Sequence, residues 1–339
     1  MKKLLALLPL LTTFSFADDN WSSSTAIENT LTSYYINNYT PAPYLEDAAM
    51  ANNRFRTFLD INDEYSDEYD INFKLIVDAN TYHHDIDDNL IGDEYDDEIS
   101  IYRGYVEYID DYHQIGIGKQ NIPIGIGNLY SPLNIFNPLD ATSIEIDERP
   151  ALNVVKYEYA INELSTFLLV YNEEIITARL KYFIGSVDIG IVAMKNTQDD
   201  KDQDILGYEL EARLFESAWD LKSEAMIIKE DNKTEQKIML GFNYGHGDLT
   251  LSTEYFYDSL TKSDEIAASL FYQIDGYWTL MFTDIYYIDT KQDLVIPSIQ
   301  YSLSDNHSLI FGATLGFDTD KQAGKLESDS YFLQLVLNF

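Results

Sequence analysis

The side chains with chemical potential in this chain are charged groups spaced two apart. Lys156 and Glu158, Arg179 and Lys181, and Glu209, Glu211 and Arg213 each occupy alternate positions of a short segment, and Arg103 and Glu107 stand four apart. Alternate positions of an extended chain share one face, so each group is a charged strip of fixed spacing. The chemistry open to such strips is electrostatic: they attract, repel or orient ions and polar solutes moving past them. Lys119, and Asp140, Glu145 and Arg149 from a long connection, complete the candidates for lining a narrow polar passage.

Other chemistry finds less support. Asp85, Asp87, Asp88, Asp93, Glu94, Asp96, Asp97 and Glu98 crowd one connection, and Asp199, Asp200, Asp202 and Asp204 a second. Carboxylates bind hard divalent cations, but neither run has EF-hand spacing, and solvated, self-repelling loops account for both. His83 and His84 are adjacent, so on a strand they point to opposite faces and no third ligand is fixed. No serine sits in a G-x-S-x-G elbow, and the chain has no cysteine for a thiolate nucleophile, metal site or disulfide. The expectation is no enzyme, no cofactor and no metal. With 58 acidic against 22 basic residues and a formal charge of −36, the chain repels nucleic acid.

The elements that must position the strips are strands. In Asn153 to Ile161, the side chains of Val155, Tyr157, Tyr159 and Ile161 oppose Lys156 and Glu158; Ala178, Leu180 and Tyr182 oppose Arg179 and Lys181. Tyr208, Leu210, Ala212 and Leu214 oppose Glu209, Glu211 and Arg213, and Leu249, Leu251, Thr253, Tyr255 and Tyr257 oppose Glu254 and Asp258. A helix would scatter apolar residues of this spacing around its circumference. The last nine residues put Tyr331, Leu333, Leu335, Leu337 and Phe339 on one face, with Gln334 and Asn338 on the other. That is about the length a tilted strand needs to cross hydrocarbon. Aromatic residues gather near strand ends, at Tyr157, Tyr159, Tyr255, Tyr257, Trp278, Tyr286, Tyr287 and Tyr331, as an interfacial girdle requires.

Met1-Lys2-Lys3, the apolar run Leu4 to Leu11 and Ser15-Phe16-Ala17 read as a secretory signal peptide, residues 1–17, cut before Asp18. Cleavage removes two lysines and no acid, taking the charge to −38. Residues 18–50 form an N-terminal segment that is either the first strand or a periplasmic extension, and 51–339 the strand-rich remainder. About 17 candidate strands follow residue 50, with one more if Ile27 to Tyr39 pairs with the C-terminal strand; sixteen or eighteen is expected, with eighteen preferred. Short turns at Asn162-Glu163, Gly185-Ser186, Gly245-His246-Gly247 and Asp275-Gly276 contrast with long connections at 83–98, 125–150, 196–204 and 318–330. The expected fold is an all-β, transmembrane, antiparallel up-and-down β-barrel, wide enough to leave an aqueous channel.

The segment from Gly116 to Asp140 is the most distinctive. Gly118-Lys119-Gln120 runs into Gly125 and Gly127, then Pro132, Asn137-Pro138 and Asp140, with Arg149 beyond. Here the chain resembles porin-like bacterial outer-membrane barrels, in which a strand ending in a glycine-basic-glutamine unit enters a glycine-rich turn and an asparagine-proline loop. Ile124 stands where many of them carry tryptophan. The resemblance implies a channel wall, whereas the residues themselves allow the loop 125–150, anchored by Leu129, Leu133, Ile135 and Phe136, either to fold into the lumen or to cap the rim.

Two readings of function follow. One is a passive diffusion channel for small hydrophilic solutes or ions, integral to the bacterial outer membrane, monomeric or trimeric, touching lipid and lipopolysaccharide, with the acidic charge favouring cations. The other is a surface binding or adhesion protein with acidic cation-binding loops, and a substrate-specific barrel transporter lies between them.

Overall fold

The computed structural model describes residues 21–38, 48–66, 69–86, 94–138, 149, 151–198, 202–214, 218–230, 233–318 and 328–339. The expected signal peptide, Asp140, Glu145 and the centres of both acidic connections lie outside the described residues.

The strands begin with β1 Trp21–Asn38, β2 Ala48–Ser66, β3 Tyr69–Ile86, β4 Glu94–Asp110, β5 His113–Gln120 and β6 Leu152–Asn162. They continue with β7 Ser165–Tyr171, β8 Ile175–Ile184, β9 Val187–Asn196, β10 Gln203–Leu214, β11 Trp219–Glu230 and β12 Lys233–His246. The last are β13 Leu249–Asp258, β14 Ser263–Gln273, β15 Trp278–Tyr287, β16 Gln292–Ser304, β17 His307–Asp318 and β18 Ser328–Asn338. Each pairs antiparallel with its sequence neighbours. Strand β1 also pairs with β18, from Glu28 opposite Asn338 to Asn38 opposite Ser328, and closes the sheet. The chain is an 18-stranded up-and-down barrel, which leaves no open edge of unpaired backbone groups.

Alternation assigns the two faces. On β10, Leu206 is 59% exposed and Tyr208 42%, while Ile205 and Glu209, at the alternate positions, are 3% and 1% exposed. On β18, Tyr331 and Leu333 are exposed, whereas Phe332 and Gln334 are buried, with the Gln334 amide donating to the Thr32 hydroxyl at 3.2 Å. Exposed apolar side chains such as Ile191, Leu240, Phe282 and Phe311 continue this outer band. An apolar outer band around a closed barrel is the surface that hydrocarbon covers.

One end of the barrel carries tight turns held by Asx hydrogen bonds. Asp110 Oδ1 accepts from the Tyr112 and His113 amides, and Asp275 Oδ1 from those of Tyr277 and Trp278. Aromatic contacts gather at this rim: Trp219 on Phe242 at 4.6 Å, Trp278 on Tyr301 at 4.5 Å, and His307 beside Phe339 at 5.6 Å. The opposite end bears the long connections, but short ones too, at 172–174, 259–262 and 288–291. Tyr287, counted with the girdle from sequence, is an exception, because it faces inward and packs near Leu129.

Candidate functional site: a loop clamped to the inner wall

After Gln120 the chain turns inward. Residues 121–138 pack on the face of the sheet opposite the exposed apolar band, which places them inside the barrel. The Ile122 amide donates to Asn137 Oδ1 at 2.6 Å and closes the base of this loop. Its outward limb passes β10, β11 and β13 in turn; Tyr130 then stacks on Phe256 of β13 at 5.0 Å, and Leu129 packs with Ala267 of β14 and Ile285 of β15. The return limb brings Leu133 and Phe136 onto Val170, Val192, Ile205 and Met226.

Three wall glutamates secure the loop. Glu209 accepts from the Gly125 amide at 3.2 Å. Glu224 accepts from the Ile126, Gly127 and Leu133 amides and from the Ser131 hydroxyl. Glu254 accepts from the consecutive amides of Asn128, Leu129 and Tyr130 at 2.7, 2.9 and 2.7 Å. Loop amides with no sheet partner would otherwise be buried unpaired, and a carboxylate offers about four lone-pair directions to satisfy several at once. Successive backbone N–H groups converging on an anion form a nest. Glu209 and Glu224 stand directly opposite each other on β10 and β11, a like-charge arrangement that costs stability unless such donors neutralise it. Lys222 completes the clamp, its Nζ donating to the Ile126 carbonyl at 2.8 Å and Asn128 Oδ1 at 2.9 Å.

Glycine is required at two loop positions. Gly125 has φ +90°, and a Cβ there would stand 2.8 Å from both Glu224 carboxylate oxygens. At Gly127 a Cβ would fall 1.6 Å from the Tyr130 carbonyl oxygen. A side chain at either site would displace the anion or open the turn.

Among the described residues, the loop packs against the inner wall from β6 to β15. The wall of β1 to β4 carries Arg54, 3.1 Å from Glu28, and Arg56, which grips Asp78 through two hydrogen bonds of 2.7 Å. The Arg56 guanidinium lies 4.0 Å from the Tyr102 ring centroid, and Arg103 lies 5.1 Å from the same ring. The Arg103 Nε has no hydrogen-bond partner among the described residues. The Tyr102 hydroxyl donates to the Arg149 carbonyl at 2.9 Å, joining this wall to the far end of the loop connection.

The other sequence candidates fall into separate groups. Glu107 takes Lys156 at 3.0 Å and the Gln114 amide at 2.6 Å, with Glu158 inward beside them. Arg179 and Lys181 flank Glu209 at 3.8 and 3.9 Å. Glu211 meets Lys222 at 3.6 Å, and Arg213, 3.6 Å from Asp220, is largely exposed at the turn end. Lys119 departs from the expected placement. It pairs with Gly104 and Asn153 on the face of Val106 and Ile117, the outer one, and its Nζ donates to the Ile101 carbonyl. Gly116 and Gly118, on the opposite face of β5, have no side chains to mark that face as inward.

Arg54, Arg56, Asp78, Lys222, Glu224 and Glu254 join the site without being among the sequence candidates. Part of the inner face is apolar, where the loop covers it. Runs apolar on both faces, Phe167 to Val170 and Ile189 to Met194, were the available signal, since a strand covered on both sides loses its alternation.

No family model matches this chain, and no curated protein does. Among solved structures it is similar to Acinetobacter baumannii OccAB4, with TM-score 0.61 and 11% identity over 95% of this chain and 100% of that one. It is similar to Pseudomonas aeruginosa OpdK, solved with vanillate, with TM-score 0.61 and 9% identity over 93% of this chain and 98% of that one. A mutant porin of Rh. blastica gives TM-score 0.55 and 10% identity over 94% and 100%. The likeness is one of fold: a closed antiparallel barrel of the kind found in outer-membrane porins.

Proposed function

We propose that this protein is a porin of the bacterial outer membrane, exported by the signal peptide at 1–17, through which small hydrophilic solutes and ions diffuse down their gradients. The observation that carries the reading is the loop 121–138, held inside an 18-stranded barrel against the wall from β6 to β15, so that it narrows the bore. A barrel of this strand number is too wide to be filled by its own wall side chains, so what remains beside the loop is water. No cofactor or chemical step is needed.

The bore and its rims differ in charge. Within the bore, Arg54 with Glu28, Arg56 with Asp78, and Lys156 with Glu107 are paired at close range, and the clamp glutamates are consumed by loop amides. The acidic runs of the sequence, Asp85 to Glu98 and Asp199 to Asp204, fall at strand ends and connections, where acid concentrates cations at the mouths. The proposal is therefore a modest cation preference that weakens as salt screens the rims. Reversal potentials across a salt gradient test it: the expected sign is that of a cation-preferring channel, declining above about 1 M salt as the Debye length falls to about 3 Å.

A substrate-selective reading is favoured by one observation, the Arg103 guanidinium lying over Tyr102 with no hydrogen-bond partner for its Nε among the described residues. A neighbour in fold was solved with vanillate, a small aromatic carboxylate. Saturable block of current by such a carboxylate, lost in Arg103→Gln, would establish selectivity, and linear flux would leave simple diffusion.

A further inference from the structure

We propose that Glu224 and Glu254 are the positioning residues of this channel: the carboxylates that fill two anion nests of the loop and thereby set the width of the narrow level. The inference deepens the porin reading and rests on it for one of its two readouts.

The contacts between loop and wall are unusual in their polarity. On the loop side the donors are almost all backbone amides, seven of them between Gly125 and Leu133. On the wall side the acceptors are the oxygens of three carboxylates buried to 1% exposure or less. Glu254 takes three consecutive amides at the tip, and Glu224 takes three amides and a hydroxyl along the middle. Each glutamate thus governs its own stretch of loop. A glutamine of the same shape keeps one acceptor oxygen and sets an NH2 group among N–H donors, so its nest loses half its acceptors and gains a donor–donor clash. Glu254→Gln should free residues 128–130 from β13, and Glu224→Gln residues 126, 127 and 131–133 from β11. Neither change touches the ladder of the barrel, whose backbone pairs are independent of these side chains. The loop therefore moves while the barrel stays.

Two measurements read this. The chain has no cysteine, so Ala267→Cys places a unique thiol on β14 beneath Leu129, at a position fully covered in the native protein. In that background, labelling by a membrane-impermeant maleimide should rise about tenfold with Glu254→Gln, as the local opening equilibrium shifts. Glu158→Gln, an inward glutamate away from the clamp, should leave it unchanged. Single-channel conductance should rise, or become noisy, with Glu254→Gln and with Glu224→Gln, at unchanged thermal stability of the barrel. If either variant fails to fold, the other carries the test. Unchanged labelling and unchanged conductance in a folded variant overturn the proposal. Barrels that never conduct, yet label faster with Glu254→Gln, would remove the porin reading and leave the positioning role standing.

Discussion

Arg56 and Asp78 offer a sharp test of how the wall of β1 to β4 is built. They face each other on β2 and β3, 5% and 4% exposed, joined by two hydrogen bonds of 2.7 Å, with the guanidinium stacked 4.0 Å from Tyr102. Removing one partner leaves the other charge buried without compensation, which typically costs about 3–5 kcal/mol. Arg56→Met should fall in that range, because the Asp78 carboxylate loses two charge-assisted bonds. Asp78→Asn should cost less, about 2–3 kcal/mol, since the amide keeps one acceptor and Tyr102 still faces the cation. The double replacement Arg56→Met with Asp78→Leu removes both charges and should cost less than Arg56→Met alone. Equilibrium urea unfolding of the barrel in lipid vesicles measures all three, and the double-mutant cycle isolates the coupling. Single variants within 1 kcal/mol of the parent, or a double variant as costly as the sum of the singles, would refute the pairing and mean that water screens both groups.

Three further outcomes are expected. Gly127→Ala puts a Cβ 1.6 Å from the Tyr130 carbonyl oxygen, so the loop turn must open; protease added from the lumen side should cut the loop in this variant and spare the parent. Glu107→Gln removes the carboxylate 3.0 Å from Lys156 and should move the reversal potential toward anions, with an opposite shift counting against Lys156 as a bore charge. Leu333→Arg places a cation on the exposed band of β18 and should cost about 2–4 kcal/mol of folding into bilayers if the position lies near the midplane, with no penalty if that face meets water.

The barrel was legible because its information is local. Period-two alternation in segments such as Tyr208 to Leu214 reports both strand and face without reference to anything distant. The C-terminal strand was equally plain, and its partner β1 was visible as the option that brought the strand number to eighteen. The clamp was not legible. Nothing near Glu224 or Glu254 distinguishes them from Glu158 or Glu211; what selects them is a set of amides 91 to 126 residues earlier in the chain. The loop's own apolar residues, Leu129, Leu133 and Phe136, announced a buried surface, but the wall they cover showed itself only as a lapse of alternation at Leu168 to Val170 and Ile189 to Met194. Lys119 shares its face with the exposed Ile115 and Ile117, and the opposite positions Gly116 and Gly118 carry no polar side chain that would mark theirs as the inner face.

The central claim is that water and solutes cross beside a loop that narrows the barrel from within. Its most direct test is single-channel conductance in planar bilayers, comparing the native protein with one in which residues 122–137 are replaced by a short Gly-Ser linker. The account predicts steady steps from the native channel and distinctly larger ones once the loop is gone. Silence from both folded barrels, or steps of the same size, would contradict it.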